Sequence, residues 1–390
     1  VVAGSGKAVI VIHLIIKLPL PYHQTLCRVL DVEFHGEFCA WFAERHSQEF
    51  PYKSSRSLDF HHHYLSEVGY SELWRALKKD RNALVILGGW SSPMTNKTLL
   101  MTSVLRAPLF IWADHPHPRR RSRAFAVLRQ TYLRLLSATF VSGFLACGKP
   151  TVEHLRALGI AGDNLIEFPY WVDVPARWTP PPACVDGESR ALQLLAVGRL
   201  VPVKQFEVAI RALARVNREA DVARLSIVGE GPERKALEEL AGALGVADAI
   251  TFVGWLEADG VQMALQKCDA LVLTSKFDAY GVVVLEAMAQ GRPVLASDTV
   301  IAAVDRDDGS GAIQLHGSGN DELLASQIQC LASDRDRLGH ASFAARAVAE
   351  QWQPERAASI LKQIMLNLNH DAMANPLPKP DANRATRTAG

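Results

Sequence analysis

Along most of the chain, short uninterrupted apolar runs alternate with longer stretches whose apolar positions recur every three or four residues. Runs of the first kind suit strands buried on both faces, and the second kind suits helices packed over them. In the first half the runs fall at residues 8–16, 83–87, 108–112 and 143–146, with "SELWRALKKD" and "RSRAFAVLRQTYLRLLSATF" as helical stretches between them. Residues 35–70 show neither period clearly.

After residue 190 the alternation becomes regular. "LQLLAVG", "RLSIVG", "AITFVG" and "ALVLTS" read as strands, separated by the helical "QFEVAIRALARV", "PERKALEELAGAL" and "ADGVQMALQKC". A further helix and strand follow, and "AIQL" reads as one strand more. The pattern predicts an α/β protein with two doubly wound domains, residues 1–173 and 191–350. The Pro-rich segment 174–190 is the expected linker, 351–371 a helix returning to the first domain, and 372–390 a disordered tail. Two such domains imply a cleft, with ligands bound outside the carboxyl ends of the strands.

Composition narrows the function classes. The 390 residues carry a net charge of +1, which argues against a nucleic-acid partner. The charge is unevenly placed: residues 1–175 hold 20 Lys/Arg against 14 Asp/Glu, and residues 176–390 hold 22 against 27. A basic first half fits an anionic acceptor or membrane surface, or ordinary surface variation. The six cysteines are widely spaced and form no CxxC pair, so they read as buried side chains in a reducing compartment. No apolar run is long enough to span a membrane. The expected setting is the cytoplasm, with the inner face of the membrane as a contact surface. The chain begins at Val1 instead of Met, so further sequence is expected upstream.

Candidate chemistry sits at the strand ends. After "LLAVG" come Gly198, Arg199 and Lys204: a close turn, a planar guanidinium fork and a point charge, all suited to a diphosphate. Gly229 and Gly231 repeat the glycine turn at the next strand, and Gly254 with Trp255 at the one after. The fourth junction, "TSKFDAYGVVVLEAMAQG", offers Asp278, Tyr280 and Gly281, then Val282, Val283 and Glu286 on a helix. N–H groups at Gly281, Val282 and Val283 face any phosphate placed there, and Glu286 can accept from ribose hydroxyls. Asp278 would reach the sugar at the other end of the same ligand. On spacing alone the two carboxylates could equally be a helix cap and a surface acid. A solvated basic pair likewise explains Arg199 and Lys204. No acidic triplet or His pair at metal spacing appears at these junctions, and the fixed cations suffice to neutralise a leaving diphosphate.

The first domain adds Gly88, Gly89 and Trp90 at one strand end, and Asp114, His115 and His117 at another. An Asp or His there can orient a reacting sugar or an acceptor hydroxyl, or be satisfied locally. His61, His62 and His63 form a run too short to argue a metal site from. Residues 119–134 combine Arg119, Arg120, Arg121, Arg123, Arg129 and Arg134 with Leu, Phe and Tyr. That is a basic amphipathic pattern suited to an anionic membrane or to a helix packed on the sheet.

"VGRLVPVKQFEVAIRAL", "IVGEGPERKAL", "FVGWL" and "TSKFDAYGVVVLEAMAQGRPVLASD" resemble, in order, the donor-site motifs of the glycosyltransferase family 4 enzymes of GT-B fold. The resemblance covers most of residues 191–298; "LIEFPYWVDV" resembles the segment usually written "PNGVD", and the first domain is similar only at "GGW" and "DHPHP". It implies a retaining, metal-independent transferase with a nucleoside diphosphate sugar, UDP- or GDP-linked, as co-substrate and no other cofactor. The acceptor would be a saccharide, a lipid-linked sugar or a small molecule. By motif position Arg199 and Lys204 bind the diphosphate, Glu286 the ribose, and the amides of Gly281 and Val282 the phosphates. Asp278 contacts the donor sugar, and His115, with His117 as rival, lies near the reacting carbon.

Three departures stand out. Asp278 replaces the usual Glu, "KLPLPYH" replaces a glycine-rich turn, and Trp171 replaces a Gly. Two other readings stay open: a nucleotide-sugar epimerase or hydrolase of the same architecture, and a non-catalytic nucleotide-sugar-binding partner. A dinucleotide oxidoreductase fits poorly, because the first strand lacks a G-x-G-x-x-G turn.

Overall fold

The computed structural model describes residues 10–46, 58–80, 83–89, 92–116, 123–160, 162–178, 180 and 190–374. Trp90, His117 and Arg119 to Arg121 lie outside them, as does most of the expected linker.

The apolar runs of the first half become β1 (Ile12–Ile16), β4 (Leu84–Gly88), β5 (Leu109–Ala113) and β6 (Gly143–Ala146). Every residue of β1, β5 and β6 is buried, as continuous hydrophobicity demands of strands covered on both sides. The stretch without a clear period supplies β2 (Phe38–Phe42) and β3 (His62–Tyr64), and β7 (Leu165–Glu167) closes the far edge. The seven strands are parallel, in the order β3-β2-β1-β4-β5-β6-β7.

The second half forms β8 (Leu192–Val197), β9 (Ala223–Val228), β10 (Ile250–Gly254), β11 (Ala270–Leu273), β12 (Val294–Ser297) and β13 (Ile313–His316). They too are parallel, in the order β10-β9-β8-β11-β12-β13. In each sheet the strand order reverses beside its first strand, between β1 and β4 and between β8 and β11. Crossovers on either side of such a point leave the sheet in opposite directions and open a crevice there.

One buried apolar cluster runs through both domains, from Leu14 and Trp112 through Phe168 and Trp171 to Tyr280, Met288 and Leu361. Polar contacts fix the same junction. The Asp305 carboxylate accepts from the Lys149 amide at 2.7 Å, at the start of helix Lys149–Ala157. Gly148 makes that approach possible: at φ +77° its missing Cβ would lie 2.7 Å from the Asp305 carboxyl carbon. Arg306, its side chain 2% exposed, lies 3.3 Å from Asp305, 3.8 Å from Glu167 and 3.5 Å over the Trp352 ring. The last helix, Glu355–Ala374, returns to the first domain, where Lys362 bonds Glu33 at 2.6 Å. It extends three residues into the stretch read as a tail, whose remainder lies outside the described residues. Among the described residues, no helix is long and apolar enough to cross a membrane.

Candidate active site

Because β8 and β11 are neighbours, the loops that leave their carboxyl ends meet. Lys204 closes a single helical turn, Pro202–Lys204, after β8, and Thr274 at the end of β11 ties that turn down. The Thr274 hydroxyl donates to the carbonyls of Lys204 (3.1 Å) and Gln205 (2.8 Å), and the Lys276 amide to that of Val203 (2.8 Å). The lysine stem then crosses Gly198, where a Cβ would lie 3.7 Å from its Cε.

Its ammonium ends on the Asp278 carboxylate as a half-buried ion pair. Asp278 in turn lies over Gly281, where a Cβ would lie 3.6 Å from the carboxyl carbon and 2.9 Å from Val300. With φ at +91° as well, only glycine fits. Gly198, Lys204, Asp278 and Gly281 therefore form one continuous contact line at the switch point. Lys204 reaches toward the Gly281 turn through Asp278, and its charge is held by that local acid instead of standing open.

Helix Val283–Ala289 starts two residues later, and the Val284 amide closes its first turn on the Gly281 carbonyl at 2.9 Å. Val282 and Val283 are half-buried at its start, where the first amides of a helix have no partner within it. Glu286, one turn on, is half-buried, and among the described residues nothing hydrogen-bonds its carboxyl. Burial pushes that carboxyl up to about 7. Arg199 is exposed on the loop after β8.

The other glycine turns lace loops together. A Cβ on Gly229 would lie 1.9 Å from the Gly198 carbonyl oxygen, and one on Gly231 2.2 Å from that of Leu200. Gly254 accepts from the Gly229 amide at 2.8 Å, and its own Cβ would lie 2.9 Å from Glu230. Trp255 beside it is exposed. The Tyr280 ring is turned into the interdomain network, where its hydroxyl bonds Asp305 (3.3 Å) and Arg306 (3.2 Å).

Across the cleft, Asp114 follows β5 at the cleft wall, and the Tyr170 hydroxyl donates to it at 2.8 Å. Its surroundings of protein raise its carboxyl above the ordinary range, with the Asp278 charge adding to the effect. Carboxylates from opposite domains thus face the same space. Tyr22, at the start of helix Pro21–Glu33, meets the Tyr170 ring edge-to-face at 4.6 Å, and Tyr170 meets Tyr280 in the same way at 5.4 Å, so the Tyr170–Tyr280 contact bridges the domains. His115 follows Asp114 with its Nδ1 buried and unpartnered. Burial, with the neighbouring His154, brings its pKa down to about 4, so it is neutral near pH 7. Its ring centroid lies 6.5 Å from that of Phe277 in the opposite domain.

Sequence reasoning missed Tyr22, which packs against Tyr170, and Asp305 and Arg306, which dock the domains. Tyr170 lay inside the quoted "LIEFPYWVDV" and carried that signal. Among the described residues, the one group of three potential metal ligands lies away from the cleft.

Residues 188–347 match the family described as glycosyl transferases group 1. The chain is 38% identical over 104 residues to an uncharacterized glycosyltransferase of Methanocaldococcus jannaschii, covering 27% of this chain and 26% of that one. It is 30% identical over 241 residues to a GDP-mannose-dependent alpha-(1-6)-phosphatidylinositol monomannoside mannosyltransferase of Mycobacterium tuberculosis, covering 58% and 60%. The matches thus span between about a quarter and three-fifths of these relatives. Among solved structures, HepE of Anabaena in complex with UDP matches with a TM-score of 0.71 at 18% identity, over 92% of this chain and 100% of that one, a likeness of fold. The chain therefore has the GT-B fold, and residues 188–347, most of its second domain, are similar to the group 1 glycosyl transferases.

Proposed function

We propose that the protein is a retaining glycosyltransferase. It moves a hexose or related sugar from a UDP- or GDP-linked donor to a hydroxyl of a saccharide, lipid-linked or small-molecule acceptor. The observation that carries this reading is the contact line from Gly198 through Lys204 and Asp278 to Gly281 at the β8/β11 switch point. The match of residues 188–347 to the group 1 glycosyl transferases supports it.

In this reading the donor diphosphate takes the Lys204 ammonium from Asp278, with Arg199 as the second cation. The amides of Gly281, Val282 and Val283 meet the phosphates, and the freed Asp278 accepts from hydroxyls of the donor sugar. Glu286, as the carboxylate, accepts from the ribose. Asp114 and neutral His115 approach from the other domain, beside the reacting carbon. The bond from the anomeric carbon to the phosphate oxygen breaks, and its electron pair leaves with the diphosphate. The acceptor oxygen attacks on the same face and passes its proton to the departing phosphate. Fixed cations and amides stabilise the charge as it develops.

The site would work in the cytoplasm, against the inner face of an anionic membrane through residues 119–134. Helix Arg123–Thr139 supports this, because Val127, Leu128, Tyr132 and Leu135 are exposed on it while Leu133 and Leu136 are buried. Sedimentation with anionic vesicles but not with neutral ones is the expected outcome.

The activity is tested by incubation with UDP- and GDP-sugars, with and without saccharide and lipid-linked acceptors. Acceptor-dependent product with the donor's anomeric configuration supports the reading. Donor conversion without acceptor favours a hydrolase or epimerase, and tight donor binding without turnover favours a non-catalytic partner.

A further inference from the structure

Far from the cleft, near the amino ends of β1 and β2, the strand pleat gathers side chains that sequence spacing separates. Side chains alternate faces along a strand, so Cys39 and Trp41 of β2 share one face. Register places His13 of β1 beside Cys39, and His63 of β3 beside Trp41. His61 and His63 therefore fall on the Cys39 face. His62 falls on the other, with its Nδ1 2.9 Å from the Phe60 carbonyl and its ring against Phe60 and Tyr64. The result is a cluster in which Cys39 Sγ and one ring nitrogen each of His61 and His63 all lie within 4.8 Å of one another.

The surroundings hold one of these ligands in place. The His63 ring stacks on Trp41 at 4.6 Å, and the Trp41 indole donates to His13 Nδ1 at 3.0 Å. His13 Nε2 in turn meets Asp80 at 3.1 Å. Cys39 and His13 are buried and His61 is exposed, so the cluster has a shielded floor and an open rim.

We propose that Cys39, His61 and His63 form a binding site for one divalent transition-metal ion of the zinc class. One sulfur and two imidazole nitrogens are a borderline-soft donor set of the kind zinc and cobalt(II) prefer, with the fourth position left to water. On binding, the ion sheds water, Cys39 releases its thiol proton to solvent, and one metal–sulfur and two metal–nitrogen bonds form without any change of oxidation state. The bonds join β2 to the three-residue edge strand β3 and close the loop between residues 39 and 61. The site would clip the sheet edge and take no part in transfer chemistry.

The test uses protein purified without an oligohistidine tag and stripped with chelator, then titrated with Co²⁺. The expected result is a thiolate-to-cobalt charge-transfer band that saturates at one ion per chain and is abolished by Zn²⁺. Cys39→Ser should lose the band, and His63→Ala should weaken binding about tenfold or more. His62→Ala should leave binding unchanged, which separates this site from chelation by the histidine run. Wild-type protein with no saturable band would overturn the proposal, as would equal losses in His62→Ala and His63→Ala. Should Cys39→Ser fail to fold, the wild-type band and the two histidine variants still decide.

Discussion

The Lys204 ammonium bonds the Asp278 carboxylate across 74 positions of chain, joining the loop after β8 to the loop after β11. The pair sits at the β8/β11 switch point, where the donor diphosphate is proposed to bind. It also makes Asp278 a placeholder for the anion that Lys204 is proposed to bind. Lys204→Ala is expected to lower kcat about 10²-fold or more at saturating donor, the scale of lost transition-state charge stabilisation. Lys204→Arg should recover part of the loss. Steady-state kinetics check this, and an unchanged kcat in Lys204→Ala would remove the residue from its role.

Glu286 predicts opposite effects on stability and binding. Its carboxyl titrates near 7 in the folded chain and returns to the ordinary carboxylate range on unfolding, so the native state holds the proton more tightly. Stability therefore falls as pH rises from the ordinary carboxylate value to about 7, and levels off above it. Glu286→Gln removes the penalty. Its melting temperature should exceed that of the wild type at pH 8, by the equivalent of up to about 3 kcal/mol, and match it at pH 4. Donor affinity should drop in the variant, and in the wild type should weaken as pH falls through about 7. Thermal denaturation at both pH values and donor titrations across pH measure these effects.

The second domain was legible because short strands rich in apolar residues alternate there with amphipathic helices, and β8, β9 and β10 each end at a glycine turn. The β2 run "FCAWF" is as long as the runs at 83–87 and 108–112, but it lies between polar flanks, Gly36–Glu37 and Glu44–Arg45, in a stretch where no regular helical period alternates with it. β3 is three residues, two of them histidines, and holds its place by pairing with β2 instead of by any hydrophobic period. Strand-end spacing brought Lys204 and Asp278 to the same region, but nothing local records that they pair. Asp305 and Arg306 had no sequence signal at all, since their partners Lys149, Glu167 and Trp352 come from distant parts of the chain.

That junction carries its own prediction. Asp305→Ala strips the Lys149 amide of its acceptor and leaves Arg306 buried with one acid fewer. Breaking a buried charge pair from one side typically costs about 3–5 kcal/mol. A clear fall in the urea midpoint is expected, larger than in Asp305→Asn, which keeps an oxygen for the amide. Equal midpoints for Asp305→Ala and wild type would mean that the apolar cluster alone holds the domains together.

The most direct measurement is a crystal structure of the protein with UDP or GDP bound. The account predicts the diphosphate at the β8/β11 switch point, within hydrogen-bond reach of Lys204 and the amides from Gly281 onward, with the Lys204–Asp278 bond opened or shared. A nucleotide bound elsewhere, with that ion pair intact, would contradict it.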